Sequence, residues 1–320
     1  MALLAAATAL PAEDRATTPP TQPADSSTPS FSDEVSVAWI LVPVIVRGAG
    51  GEYVNGLGRG DFSLKVDGRS VSFPDFEPRG EAPWSLVFLQ DLSGSMAGSR
   101  LDASRQAIYY FLDSAKPGDE FSLASFAMDS TEIEVPFTEE ILTLQESIAL
   151  WEPYGKTGLH DAVALLPQIS NDSRNVKRAA ILITDGVDNA SRITAAQARE
   201  IVQKSELPVY VFGLASGDPY ATPAATDTYR YANMLNLLAH QTGGRYYSIE
   251  GPDDLKEACA EVAEDLRYQY VLGFETAATG TPAYRTIAVT VKGRKVKQVT
   301  HRKGYKGLPP APPAGRGTAK

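Results

Sequence analysis

Two aspartates and three hydroxyl residues, at three places far apart in the chain, hold the oxygen chemistry of this sequence. Residues 86–100 read LVFLQDLSGSMAGSR: an apolar run breaks into Asp91, Ser93 and Ser95, with Gly94 between the serines. Much later the apolar run AAILIT ends in Asp185, followed by Gly186. Between them YGKTGLHDAV sets Thr157 in a Gly-flanked turn that leads into a helix. Two carboxylates and three hydroxyls, with no His or Cys among them, are hard donors that favour magnesium, manganese or calcium over zinc or copper. Two carboxylates balance one divalent cation, and neutral hydroxyls leave it electrophilic, with room for an outside ligand. An acidic side chain of another protein suits that room. Gly94 is expected to let the loop curl around the ion without a Cβ clash.

The elements that must bring these loops together follow from hydrophobic spacing. Near-continuous apolar strands alternate with amphipathic helices from Ser85 to Leu266. SLVFLQ is followed by RLDASRQAIYYFLDSAK, whose Leu101, Ile108, Phe111, Leu112 and Ala115 share one helical face. DEFSLASFA, TEIEVPF, RAAILIT, PVYVFGL and RYYSI read as further strands, and residues 139–150, GLHDAVALLPQI, TAAQAREIVQKS, YANMLNLLAHQ and DDLKEACAEVAEDL as helices. This pattern predicts an α/β fold: a doubly wound, mostly parallel sheet covered on both faces. In such sheets ligands bind outside the carboxyl ends of the strands, where Asp91 and Asp185 stand.

The flanks are all-β. Residues 34–80 contain VSVAWILVPVIV, DFSLKV, an Asp67-Gly68 hairpin signal and RSVSFPDF, and residues 267–308 contain YQYVLGFE, YRTIAVTV and KVKQVTHR. The two flanks are expected to pair into one accessory β unit beside an α/β domain at 81–266. Residues 1–33 combine a short apolar run, an Ala7-Thr8-Ala9 pattern and a Pro/Ser/Thr-rich linker. They read as a secretory leader that lacks a basic n-region, and hence as an exported, periplasmic or secreted protein. Residues 309–320 read as a disordered tail. No stretch reaches the roughly 18 apolar residues of a membrane span.

At this point the residues carry a resemblance. Asp91-x-Ser93-x-Ser95, Thr157 in Gly-Lys-Thr-Gly and Asp185 in ILITDG resemble the metal-ion-dependent adhesion site of von Willebrand factor type A domains, over roughly residues 83–266. The flanks VNGLGRGDFSLKVDGRSVSFPDFEP and YRTIAVTV to HRKGYKG resemble the bacterial group of that family described as acidobacterial. The resemblance implies hydroxyl ligation by Ser93, Ser95 and Thr157, with Asp91 and Asp185 binding the ion or its waters. It implies a divalent cation, Mg2+ first with Mn2+ and Ca2+ as alternatives, a protein partner offering a carboxylate, and no catalysis.

Other readings are weaker. The formal net charge is −9, and the acids all precede Thr276, so the body is acidic and argues against nucleic-acid binding. An aspartyl-phosphate hydrolase using Asp91 would want a second acid two residues on, where Ser93 stands. The site could instead serve assembly, holding an acid of another copy or of an envelope component. Gly155-Lys156-Thr157 lacks the first P-loop glycine, since position 150 is Leu. The three histidines are far apart, which disfavours zinc, and the single cysteine, Cys259, reads as a packed thiol. His160 is assigned a capping or surface role, and Asp188 and Asn189 are turn residues or acceptors behind the site. The late basic residues Lys292, Arg294, Lys295, Lys297, Arg302, Lys303 and Lys306 are assigned to an exposed sheet edge, where charge prevents strand pairing.

Overall fold

The computed structural model describes residues 37–306, apart from 81, 129, 204–206, 215–226, 278–282 and 294. The leader and linker expected at 1–33 and the tail expected at 309–320 lie outside the described residues.

The chain opens with four strands, β1 (Val37–Arg47), β2 (Phe62–Val66), β3 (Arg69–Val71) and β4 (Asp75–Glu77). The central series follows as β5 (Trp84–Asp91), α1 (Ser99–Asp113), β6 (Glu120–Ala127), β7 (Ser130–Thr138), α2 (Ile141–Ala149) and α3 (Leu159–Ser170). It continues through β8 (Lys177–Thr184), α4 (Ala195–Val202), β9 (Val209–Leu214), α5 (Asp227–Thr242), β10 (Tyr246–Ile249) and α6 (Pro252–Tyr268). Last come β11 (Tyr270–Ala277), β12 (Tyr284–Val291), β13 (Gln298–His301) and β14 (Gly304–Lys306).

Six strands form the central sheet in the order β10-β9-β8-β5-β6-β7, parallel except for the β6–β7 pair. All of β5 is buried, because alternate side chains feed two separate cores. Leu86 and Phe88 pack with Phe111 of α1 and Val262 of α6 on one face. Val87 and Leu89 pack with Leu166 of α3 and Leu235 of α5 on the other. Ile181 and Ile183 of β8 repeat the first pattern, and Ala180 and Leu182 the second. The expected doubly wound α/β fold is therefore what forms. The chain goes from β5 to β6 on one side and places β8 on the other, so the ends of β5 and β8 are the topological switch point.

The β segments of the two flanks pair. β1 runs antiparallel to β11 from Val37↔Ala277 to Val44↔Tyr270, and β2 pairs with β12 from Phe62↔Val291 to Val66↔Ile287. Two four-stranded sheets, β13-β1-β11-β4 and β14-β12-β2-β3, enclose a core of Ile40, Val42, Val44, Leu272 and Phe274 against Leu64, Val66, Ile287, Val289 and Tyr305. Arg47 at the end of β1 reaches α6, donating from Nη2 to Asp265 Oδ1 at 2.7 Å, and Tyr53 donates to the same oxygen at 2.8 Å. This buried group ties the sandwich to the helical layer.

Two readings change. RSVSFPDF is not one strand but β3 and β4, which join different sheets, because Pro74 has no N–H for a ladder and Phe73 turns into the core. The late basic residues are not an edge stripe either. Lys292, Lys295 and Lys297 sit in the connection between β12 and β13, and Arg302 is buried, donating to Gly304 O and Gln203 O at 3.0 and 3.1 Å. Lys306 does lie on an edge strand, β14, where it pairs with Glu200.

Candidate metal centre

Asp91 is the last residue of β5 and is fully buried. Its Oδ1 accepts from the Ser93 N–H at 2.9 Å, which folds the loop back over the strand end, and its Oδ2 accepts from Thr184 Oγ1 at 2.6 Å. Thr184 closes β8 beside it and accepts in turn from Gly186 N at 3.0 Å. The loop continues through a short 3-10 turn, Gly94–Met96, that leaves Ser93 buried and Ser95 exposed with their hydroxyls 3.2 Å apart.

Thr157 lies just before α3 and is buried. Backbone bonds hold its loop to the Asp91 loop: Gly94 N to Gly155 O at 3.1 Å and Tyr154 N to Leu92 O at 2.7 Å. On the other side Thr157 N donates to Asn189 Oδ1 at 2.9 Å, and Asn189 N and Ala190 N both donate to Thr157 O at 3.0 Å. Three loops distant in sequence are thus stitched together through Leu92, Gly94, Gly155, Thr157 and Asn189. Asp185 stands at the mouth, 6% exposed, its Oδ1 accepting from Val187 N at 3.4 Å and its Oδ2 from Arg100 Nη1 at 3.2 Å.

The glycine whose backbone the site needs is Gly155 and not Gly94. Gly155 has φ +68, and a Cβ there would lie 2.3 Å from Met128 Cγ, whereas a Cβ on Gly94 would meet Gly155 O at an ordinary 3.4 Å. Gly94 matters as the N–H that bonds Gly155.

The electrostatics suit a cation. Burial pushes the Asp91 carboxyl up to about 6 from an ordinary 3.8, against the hydrogen bonds from Thr184 and Ser93, and the nearby Asp185 adds to the rise. No Lys, Arg or His among the described residues forms an ion pair with Asp91. Among the described residues no three His, Cys, Asp or Glu side chains cluster as for a cage of those ligands. The donors brought together here are two carboxylates supplemented by hydroxyls, a set that fits a hard divalent ion.

Three neighbours play parts that sequence spacing did not single out or only touched. Thr184 was visible as a polar residue closing an apolar strand, and Asn189 as a turn residue behind Thr157. Arg100, the second residue of α1, showed no signal. His160 sits in the first turn of α3, 3.2 Å by Nδ1 from Asp188 Oδ2 and 3.3 Å from Ile193 O. Ser191 gives its proton to Asp188 Oδ1 at 2.6 Å while accepting from the His160 and Asp161 N–H groups, so this trio braces the loop and holds no activated nucleophile. The Gly155-Lys156-Thr157 turn follows α2 and an irregular segment, not a strand, which removes the P-loop context.

Parts of this chain are similar to known proteins. A family model described as the von Willebrand factor type A domain matches residues 86–187. The human inter-alpha-trypsin inhibitor heavy chain H4 is 29% identical over 147 residues, 40% of this chain and 16% of that protein. An uncharacterized protein of Borreliella burgdorferi is 24% identical over 183 residues, 51% of this chain and 53% of that protein. A solved von Willebrand factor type A structure from Catenulispora acidiphila aligns with a TM-score of 0.49 and 14% identity, covering 87% of this chain and 74% of that one. The chain spans about a quarter or less of the length of the inter-alpha-trypsin inhibitor heavy chains it matches. The family match takes in the strands β5 to β8 and the three loops of the candidate site, and it identifies residues 86–187 as a von Willebrand factor type A domain.

Proposed function

We propose that the chain is a non-enzymatic, extracytoplasmic binding module that captures an acidic group of a protein partner through a divalent cation, Mg2+ first. Asp91, Ser93, Ser95, Thr157 and Asp185 would hold the ion, and when bound it would supply an electrophilic seat for the partner's carboxylate. The observation that carries the reading is Asp91: a fully buried carboxylate, pushed up to about 6, at the junction of three stitched loops whose other donors are hydroxyls and a second carboxylate. A buried acid without a cation is costly, and a cation at that junction relieves the cost. Both Asp91 oxygens are engaged by Ser93 N and Thr184 Oγ1, an arrangement that orients a ligand and does not free a nucleophile. Export is supported by the leader-like composition of residues 1–33.

The test is a calorimetric titration with Mg2+ and Mn2+, followed by capture of a succinylated polypeptide against its uncharged amide. The expected result is one ion per chain, capture of the carboxylated probe alone, loss of both with chelator or in Asp185→Ala, and an unchanged circular-dichroism spectrum. Failure of the native protein to bind either ion, or ion binding that Asp185→Ala leaves unaltered, overturns the reading.

A further inference from the structure

Arg100 lies where a cation would act. Its Nη1 donates to Asp185 Oδ2 at 3.2 Å and to Ser95 O at 2.8 Å, so one guanidinium nitrogen bridges two residues of the candidate ligand set. From these contacts, and resting on the metal reading above, we infer that Arg100 is a tethered competitor for the ion: it neutralises Asp185 in the metal-free chain and must leave that oxygen for a divalent ion to load.

Three observations support the exchange. A guanidinium stays protonated at any physiological pH, so this pairing cannot be relieved by titration and ends only by displacement. Arg100 and the ion would be like charges contending for one carboxylate oxygen, and at such separations their repulsion is strong where water is partly excluded. The side chain is also able to move, being 37% exposed while Asp185 is 6% exposed. A place to go exists beside it: a cavity of about 490 Å³, lined by Arg100 together with Asp102, Gln106, Leu214 and Glu250, offers two further carboxylates. Arg100 therefore sets the affinity of the site for its ion, lowering it by holding Asp185.

Native protein, Arg100→Gln, Arg100→Ala and Asp185→Ala are titrated with Mn2+ by calorimetry and by the electron paramagnetic resonance of free Mn2+, and melted in chelator and in excess Mn2+. Loss of a competing, partly exposed ion pair should tighten Mn2+ binding about threefold to tenfold in both Arg100 variants. The same variants should melt below native in chelator and lose that deficit in excess Mn2+. Native binding with unchanged or weaker affinity in both Arg100 variants overturns the inference while leaving the metal reading standing. Absence of Mn2+ binding in native protein and variants alike overturns both.

Discussion

Thr184 Oγ1 donates a 2.6 Å hydrogen bond to Asp91 Oδ2, linking the ends of the two central strands β8 and β5. The same hydroxyl accepts from Gly186 N, so it orients Asp91 and the backbone after Asp185 at once. Replacing it with the near-isosteric valine leaves a buried carboxylate oxygen unpaired. Thr184→Val should cost about 1–3 kcal/mol in metal-free protein by urea denaturation, and Thr184→Ser should recover most of it.

The raised Asp91 carboxyl gives a pH dependence of definite sign. Its folded value, about 6, lies above its ordinary 3.8, so between those values the folded chain binds the proton that the unfolded chain has released. This contribution to stability therefore grows as pH falls from about 7 towards 4, and is lost as pH rises through 6; its full size is at most about 3 kcal/mol. In chelator, native protein should gain stability relative to Asp91→Asn over that fall, measured by differential scanning calorimetry. A difference between the two that stays constant across the range would contradict the assignment.

The two glycines of the site should respond differently. Gly155→Ala forces a left-handed φ on alanine and drives its Cβ into the Met128 side chain, so the turn before Thr157 is strained and either it or Met128 has to give way. We expect weakened Mn2+ binding of tenfold or so and a lower melting temperature. Gly94→Ala retains the N–H that bonds Gly155 and meets only van der Waals contact, so its Mn2+ affinity should stay near native.

Asp265 on α6 accepts from both Arg47 and Tyr53, and its side chain is 3% exposed. Asp265→Ala leaves the Arg47 charge partly buried without its main partner. The expected loss is about 3 kcal/mol in chemical denaturation. Because Asp265 bonds to Arg47 and Tyr53, which belong to none of the three loops, the Mn2+ affinity of the folded fraction should be unaltered.

The strands and helices of the α/β domain were legible because burial imposes periodicity. A strand such as Trp84–Asp91, buried on both faces, has to be apolar throughout, and a helix such as Ser99–Asp113 has to present one apolar stripe. The five candidate oxygen donors stood out for a related reason, since polar side chains next to such apolar runs contrast with their surroundings. Gly94 was misread because sequence shows that a glycine is present but not its φ, and the left-handed conformation falls at Gly155. The lysines from Lys292 to Lys297 were misread because Val296 between Lys295 and Lys297 imitates the alternation of the strand β13 that follows.

What the sequence determined by itself was local: which segments are apolar enough to be buried, their period, and which residues at their ends can offer oxygen. Only the tertiary structure decided that Thr184 would hold Asp91, that Asn189 would lock Thr157, and that Arg100 would rest on Asp185. Those pairs join residues separated by 93, 32 and 85 positions. No periodicity spans such distances, and they are set only when strand order and register place one loop beside another.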